Sequence, residues 1–224
     1  IGVGALSTAR FVNTELDGAR VKADFAANVS HELRSPITQI RLKAESLMLG
    51  LSETEEERQR DYRAIVRESE RLSRLVDNVL DFSAIERGAK TYALIPGDLG
   101  ACVSLAIEAV EGSIELVERD LFVRIEQGLP TVAHDSDAIS QCVINLLSNA
   151  AKYSEMDQPI CVDVREGDGG VFVHVIDEGI GIPESDIQQI FDPFFRGGDA
   201  SVRREKGTGI GLAITHYIVS SHNG

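Results

Sequence analysis

Residues suited to phosphate chemistry occur in four segments of this 224-residue chain. In the first segment, His31 is followed directly by Glu32 and, one helical turn later, by Ser35. An asparagine-rich segment and two glycine-rich segments follow further along the chain. A neutral histidine nitrogen can act as a nucleophile, and glycine-rich backbone at a helix start can bind phosphate. His31 is therefore a candidate phosphate acceptor.

The surroundings of His31 predict that it lies on the solvent face of an amphipathic helix. Its nearest apolar neighbours are two residues away on either side, so at about 100° per residue its ring points away from the apolar stripe. Pro36 cannot donate a helical hydrogen bond, and we expect a bend beside His31. An ordinary surface histidine is the alternative interpretation. The apolar stripe consists of Phe25, Val29, Leu33, Ile37, Ile40, Ala44 and Leu47.

Charge divides the chain into two parts. The net charge is −14; residues 1–90 carry 14 basic and 15 acidic side chains, whereas residues 91–224 carry 8 and 21. Such an acidic surface argues against a nucleic-acid partner. Five of those eight basic residues lie within or beside the candidate motifs, which indicates an anion site; chance clustering in a loop is the alternative. They are Lys152, Arg196, Arg203, Arg204 and Lys206.

Composition indicates a globular protein of the cytoplasm. Three scattered cysteines in apolar surroundings, Cys102, Cys142 and Cys161, predict reduced, buried thiols. The sequence contains neither a run of 18 apolar residues nor a signal peptide, so we expect no span within it. The first six residues could be the tail of a longer hydrophobic segment, and membrane attachment is expected only through segments outside this sequence.

The first part of the chain is predicted to be a helical hairpin. After a lead-in over residues 1–19, the His31 helix runs to about Leu49, with Gly50 as its stop. Ser52 and Glu55 match a capping box for a second helix that ends near Gly88. A single hairpin would leave its apolar stripes exposed, so we expect a homodimer that forms a four-helix bundle over residues 20–90.

The second part, residues 91–224, is predicted to be an α+β two-layer sandwich with strands paired in hairpins and helices on one face. Residues 90–97 read as a linker. The expected elements are a helix at 99–118, a strand at 121–126, a helix at 135–152, strands at 159–165 and 171–176 around a glycine turn, a short helix at 184–190, a polar lid near 197–207 and a final helix from about 209.

The predicted helix at 135–152 carries Asn145, Asn149 and Lys152 on one face, because their spacings are four and three. An amide oxygen suits Mg²⁺, which takes phosphate oxygens as further ligands. This face is therefore a candidate for binding a metal and phosphate, and a row of ordinary surface amides is the alternative.

The two glycine-rich segments complete a candidate nucleotide site. Asp177 follows a strand and can accept a hydrogen bond from an amine such as that of adenine, and glycines after it let a flat ring approach the backbone. By itself this could be any acidic turn. The second segment opens an apolar helix, whose free amides can bind phosphate. The glycines are Gly179 and Gly181 in the first segment, and Gly207, Gly209 and Gly211 in the second.

Taken in order, the motifs HELRSP, NLLSNAAKY, DEGIGI, FDPFF and GTGIGL closely resemble the H, N, G1, F and G2 boxes of sensor histidine kinases of two-component systems. The resemblance covers residues 20–224. It implies a dimerisation and phosphotransfer hairpin followed by a Bergerat (GHKL) ATP-binding domain. The implied activity is ATP-dependent autophosphorylation of a histidine, followed by transfer to an aspartate of a response regulator.

The resemblance also implies roles for individual residues. His31 is similar to the phosphorylated histidine, Glu32 to the base that assists it, and Asn145 to the Mg²⁺ ligand. Asp177 is similar to the aspartate that binds adenine. Positions that resemble other nucleotide contacts are Asn149, Lys152, Tyr153, Gly179, Gly181, Phe194, Arg196, Gly207, Thr208, Gly209, Gly211 and Leu212.

Two departures qualify the resemblance. Ser35 stands where many family members have threonine. The hydroxyl at this position is associated in the family with dephosphorylation of the regulator. The resemblance therefore implies phosphatase activity, with serine in place of threonine. The sequence stops at residue 224, where family members continue into closing strands, so we expect a truncated ATP-binding domain. Two alternatives remain: a GHKL-type ATPase or serine kinase, and a non-catalytic dimeric scaffold.

Overall fold

A computed structural model of the chain describes the backbone of residues 2–111, 119–197 and 207–224, and the side chains of residues 25–110, 119–197 and 207–224. The chain divides into two compact units. The first, which we name the hairpin unit, is Ile1–Asp77 with Lys206–Gly209; the second, the sheet unit, is Asn78–Glu205 with Ile210–Gly224.

The hairpin unit is built from two long helices, α1 (Gly2–Met48) and α2 (Glu55–Glu86), the second of which continues into the sheet unit. Gly50 has a φ of +67° and Gly88 a φ of +63°. This left-handed conformation is inexpensive only for glycine and ends a helix by turning the backbone away. The predicted stops at these two glycines are confirmed.

The start of α2 differs from the prediction. Thr54 and Glu57 form the capping box: the Glu57 amide donates to Oγ1 of Thr54 and the Thr54 amide donates to Oε2 of Glu57, both at 3.1 Å. The predicted box of Ser52 and Glu55 was wrong, because Ser52 is buried and its hydroxyl donates to Oδ2 of Asp61 at 2.7 Å. The Ser52 hydroxyl binds the Asp61 carboxylate and so does not cap the start of α2.

Ion pairs show that the two helices run antiparallel. Nζ of Lys43 lies 2.8 Å from Oδ1 of Asp61, and a guanidinium nitrogen of Arg71 lies 3.6 Å from Oε2 of Glu32. Moving back along α1 therefore means moving forward along α2. Pro36 lies inside α1 and is fully buried, and the predicted bend there stays a prediction.

The described residues of the sheet unit form five strands in two sheets. A short antiparallel pair joins β1 (Ile95–Gly97) to β3 (Val132–His134), and a mixed sheet has the order β2 (Leu121–Ile125), β4 (Ile160–Gly167), β5 (Gly170–Ile176). The predicted hairpin of β4 and β5 is confirmed. By contrast, β2 pairs in parallel with β4, and β1 lies in the segment that was expected to be a linker.

Within the described ranges, the helices that belong wholly to the sheet unit are α3 (Leu99–Glu111), α4 (Ser136–Tyr153) and α5 (Gly211–Ser221). The rest of the predicted helix at 99–118, and all but the ends of the expected lid at 197–207, lie outside the described residues. The predicted short helix at 184–190 was wrong: this segment is a series of turns, with the Asp186 amide bonded to the Pro183 carbonyl and the Gln189 amide to the Asp186 carbonyl. Of its two apolar residues, Ile187 is exposed and Ile190 is half-buried, so little burial supports a helix there.

The core of the sheet unit lies between the mixed sheet and helices α3 and α4. Its buried apolar members are Val103, Ala106, Ile107, Val110, Val143, Leu147, Ala150, Ala151, Ile160, Val162 and Val164. The three cysteines are free thiols, as expected; two of them are buried, and Cys161 is half-buried. Burial raises the pKa of the Cys142 thiol to about 12. Within the described part of the chain, no helix has the length and apolar character to cross a lipid bilayer.

Asp61 contributes to the stability of the hairpin in a way that depends on pH. Hydrogen bonds from Lys43 and then Ser52 hold the pKa of the Asp61 carboxyl below its usual value. A lowered folded-state pKa stabilises the fold above the unfolded pKa of about 4, and this stabilisation is lost as the pH falls through the folded pKa.

We therefore expect Asp61→Asn to lower the thermal unfolding midpoint of the chain at pH 7, with the difference from the parent chain shrinking below about pH 4. Far-UV circular dichroism melts across the pH range provide the measurement. Asp77 is exposed, so Asp77→Asn is the control and should leave the unfolding midpoint unchanged at pH 7 and at pH 3. A difference that is equally large at pH 3 would contradict this account.

Candidate functional site

Helix α4 presents the amide side chains of the candidate site because its opposite face is buried in the core. Leu147 and Ala150 are buried, whereas Asn145 and Asn149 are half-buried on the other side of the helix. Asp135 caps this helix by accepting from the Ala138 amide at 3.2 Å. Burial opposes ionisation of Asp135, but backbone hydrogen bonds, that of Ala93 first, hold its pKa below the usual value. The cap is thus a stable carboxylate.

Asn145 meets the first residue of α5. Its Nδ2 donates to the carbonyl oxygen of Gly211 at 3.3 Å, which leaves the amide oxygen Oδ1 as the atom that can bind a cation. A Cβ atom at position 211 would lie 3.5 Å from that oxygen. Glycine therefore keeps the space beside Oδ1 free of a side chain.

Mg²⁺ fits this position by its chemistry. Among the described side chains, no group of three or more His, Cys, Asp or Glu residues is arranged to hold a metal. A single amide oxygen is instead the kind of ligand that Mg²⁺ combines with water and phosphate oxygens. Oδ1 of Asn145 would thus hold the ion together with a bound phosphate.

The carboxyl end of α4 lies against the first glycine segment. Oδ1 of Asp177 accepts from the Gly179 amide at 2.9 Å and lies 3.5 Å from Oγ of Ser154. The Ile180 amide donates to the carbonyl oxygen of Tyr153 at 3.1 Å. Since Asp177 is exposed, its carboxylate is held in one place and still open to a ligand.

Gly179 allows the close approach of these two segments. A Cβ atom at this position would lie 2.5 Å from the Tyr153 carbonyl oxygen and 2.8 Å from Oδ1 of Asp177. Neither distance is compatible with a side chain. Gly181 has a φ of +70°, which also favours glycine.

The remaining nucleotide-site candidates with described side chains make aromatic contacts or are half-buried. Nζ of Lys152 lies 5.1 Å from the centroid of the Tyr153 ring, within range of a cation–π contact. Phe194 has a φ of +70°, and its ring meets that of the buried Phe82 edge-on, with centroids 5.1 Å apart. Arg196 is half-buried. The other three basic residues of the expected cluster, Arg203, Arg204 and Lys206, lie outside the described residues.

The second glycine segment leads into α5, as predicted. Gly207, Thr208 and Gly209 are followed by Ile210 and then by the helix, and Gly209 has a φ of +72°. Gly211 and Leu212 form its first turn, so the helix begins two residues later than expected.

The candidate phosphate acceptor lies on α1, in the hairpin unit. His31 is exposed, as predicted, and Ser35 follows one turn later, half-buried. Glu32 is largely buried and pairs with Arg71, which also lies 3.7 Å from Glu68. His31 thus has a fixed acidic neighbour and an open ring.

Sequence reasoning missed three residues that contact candidate site residues within one or the other unit. Ser154 ends α4 beside Asp177, Phe82 contacts Phe194, and Arg71 pairs with Glu32. Ser154 directly follows the asparagine motif, so its position in the sequence was a usable signal. The two contacts made from α2 join residues far apart in sequence, and no local spacing reveals them.

Two family models match this chain. Residues 21–88 match the His Kinase A (phospho-acceptor) domain, and residues 134–224 match the family described as histidine kinase-, DNA gyrase B-, and HSP90-like ATPase. The chain belongs to the sensor histidine kinases. His31, Glu32 and Ser35 lie in the first match, and the nucleotide-site candidates lie in the second.

Curated relatives agree with this family. The chain is 35% identical to the sensor histidine kinase WalK of Bacillus subtilis over 213 residues, covering 91% of this chain and 33% of WalK. It is 30% identical to the sensor-like histidine kinase SenX3 of Mycolicibacterium smegmatis over 220 residues, covering 96% of this chain and 56% of SenX3. The chain therefore spans between a third and somewhat more than half of these relatives.

The fold is also shared with the histidine kinase AdeS of Acinetobacter baumannii. Its structure superimposes with a TM-score of 0.56 at 24% identity, covering 85% of this chain and 86% of the AdeS chain. The arrangement of a helical hairpin followed by an α+β domain, predicted from the sequence, is confirmed.

The tight packing at position 179 yields a test of the site. Gly179→Ala should weaken ADP binding by about tenfold or more, because the new methyl group must displace either the Tyr153 carbonyl or the Asp177 carboxylate. Isothermal titration calorimetry measures the effect. Gly170→Ala is the matched control, since a Cβ atom there meets nothing within 4 Å. Equal ADP affinity in both variants would show that the Asp177 segment is not part of the nucleotide site.

Proposed function

We propose that this chain catalyses ATP-dependent autophosphorylation of His31 and transfers the phosphoryl group to an aspartate in the receiver domain of a response regulator. The observation that carries the proposal is an exposed histidine with a fixed carboxylate neighbour in the phospho-acceptor match, in the same chain as the site around Asn145 and Asp177 in the ATPase match. Neither element alone would suffice, because the reaction requires both an acceptor and a donor site.

In the proposed reaction, a ring nitrogen of His31 attacks the γ-phosphorus of ATP. A nitrogen–phosphorus bond forms, the bond to the bridging oxygen breaks, and ADP leaves with that electron pair. Glu32 accepts a hydrogen bond from the other ring nitrogen and takes up its proton as the ring becomes phosphorylated. The pairing of Glu32 with Arg71 supports this role, since it holds the carboxylate in a defined position.

The sheet unit is proposed to bind the nucleotide at two ends. The exposed carboxylate of Asp177 would accept from the amine of adenine, and Asn145 would hold Mg²⁺ at the phosphate end. Bound Mg²⁺ would supply positive charge that offsets the charge of the transferring phosphoryl group. Further contacts are proposed for Asn149, Lys152, Tyr153, Phe194, Arg196 and the glycine segment from Gly207 to Leu212.

We also propose that the hairpin pairs with a second copy of the chain. Several large apolar side chains of the hairpin unit are exposed in the single chain, with exposed fractions of 51% for Ile37, 55% for Leu42 and 55% for Val66. Association into a four-helix bundle would bury them and gain about 25 cal/mol per Å² of apolar surface. The dimer would present His31 to the response regulator.

Two further assignments follow from the family. Ser35 lies one turn from His31 and is proposed to assist dephosphorylation of the response regulator, in the place of the more common threonine. The chain is proposed to be the cytoplasmic part of a sensor that reaches the membrane through other segments.

The acceptor assignment predicts that His31→Gln abolishes labelling from γ-phosphate-labelled ATP. Because His31 belongs to the hairpin unit, ADP affinity measured by calorimetry should stay within about twofold of the parent chain. The label on the parent chain should be lost in acid and kept in base, as a phosphorus–nitrogen bond requires. His174 lies on β5, and His174→Gln serves as the control, which should be labelled normally. Labelling that persists in His31→Gln, or an acid-stable label, would contradict the assignment.

The metal assignment predicts that Asn145→Ala weakens ATP binding by about tenfold in the presence of Mg²⁺ and changes it little in excess chelator, because the amide oxygen acts through the ion. Calorimetric titrations with and without Mg²⁺ give the two affinities. Ser140→Ala in the same helix is the control. The metal role would be refuted by an equal loss of affinity under both conditions, or by no loss.

A further inference from the structure

Arg119 lies two residues before the start of β2 and extends its guanidinium to the end of α4. Nη2 donates to the carbonyl oxygens of Ala151 at 2.6 Å and Ser154 at 2.7 Å, and Nη1 donates to the carbonyl oxygen of Glu155 at 2.6 Å. The last carbonyls of a helix have no donors within the helix. A planar guanidinium can serve several of them at once. One side chain therefore ties the last turn of α4 to the two residues that follow the helix.

The backbone that carries Arg119 is itself anchored to the sheet. The carbonyl oxygen of the next residue, Asp120, accepts from the Ile160 amide at 3.0 Å, at the start of the parallel pairing of β2 with β4. Arg119 thus connects the rigid end of this strand pair to the end of α4, across 32 to 36 positions of sequence. The sheet, and not a loop, therefore holds the end of α4 in position.

The helix end fixed by Arg119 is also the wall of the site around Asp177. The carbonyl oxygen of Tyr153 accepts from the Ile180 amide at 3.1 Å, and Oγ of Ser154 lies 3.5 Å from Oδ1 of Asp177. Tyr153 lies between the carbonyls that Arg119 binds, and Ser154 supplies one of them. A Cβ atom at Gly179 would come within 2.5 Å of the Tyr153 carbonyl, so the two segments are packed without spare room. A small shift of the helix end would therefore move the Asp177 segment.

We propose that Arg119 is a positioning residue for the adenine end of the nucleotide site. It acts through Tyr153 and Ser154, which hold the Asp177 segment, and it does not itself contact the nucleotide. This inference rests on the proposed function, in which Asp177 accepts from the amine of adenine. Asn145, at the phosphate end, lies about two helical turns from the capped end of α4. Loss of Arg119 should therefore affect recognition of the base more than binding of the phosphates.

The test compares Arg119→Gln and Arg119→Lys with the parent chain. Affinities for ADP and GDP are measured by competition against a fluorescent ADP analogue, and thermal midpoints are recorded in parallel. Arg124→Gln is the matched control, because Arg124 lies exposed on the adjoining strand β2. Guanine lacks the amine that Asp177 is proposed to recognise, so the ratio of ADP to GDP affinity reports on the adenine end alone.

We expect Arg119→Gln to weaken ADP binding by about tenfold and GDP binding by less than about twofold, which lowers the ADP preference. Arg119→Lys should lie between, because a single ammonium cannot reproduce the planar fork. Arg124→Gln should retain the preference of the parent chain. A purely structural role would weaken both nucleotides by the same factor, and that result, or an unchanged preference, overturns the proposal.

Arg119→Lys carries the same test if the glutamine variant fails to fold. Should the parent chain itself show no preference for ADP, the proposed adenine site falls and the positioning role falls with it. If the parent chain and Arg124→Gln prefer ADP and both Arg119 variants retain that preference, only the positioning role is refuted.

Discussion

Burial of one face of α4 is the constraint on which the rest of the sheet unit depends. Val143, Leu147 and Ala150 are almost completely buried between α3 and the mixed sheet. Rotating the helix about its axis would expose these side chains and lose the hydrophobic contribution of each. Because helix faces are fixed by a period of 3.6 residues, this burial also decides where Asn145 and Asn149 point. The position of the polar face is therefore a consequence of core packing.

Both ends of α4 are fixed by contacts that are distant in sequence. Asp135 caps the amino end and also binds the Ala93 amide at 3.0 Å, while Arg119 caps the carboxyl end. The start of α5 meets the middle of α4 through Gly211 and Asn145. The proposed metal ligand lies on α4, and the proposed adenine-binding carboxylate is held by the end of the same helix. A site that must bind two ends of one ligand benefits from such a common support.

Local signals in the sequence predicted the elements whose stability is itself local. Gly50 and Gly88 end helices because of their own backbone conformation, and the turn between β4 and β5 joins neighbouring strands. The same reasoning failed where a competing side-chain partner or a lack of burial decided the outcome. Ser52 was expected to cap α2, but Asp61 takes its hydroxyl and Thr54 caps the helix instead. The turns at 184–190 lack the burial that a helix there would need.

Short segments of the sequence encode the family, the order of the two domains, and the residue types and spacings of the five motifs, because these depend on chemistry within each segment. Tertiary contacts establish the parallel pairing of β2 with β4, the pairing of Glu32 with Arg71, and the capping of α4 by Arg119. Each of these joins groups that are tens of residues apart. Such contacts arise only when apolar burial has brought the elements together, and no pattern within one segment encodes them.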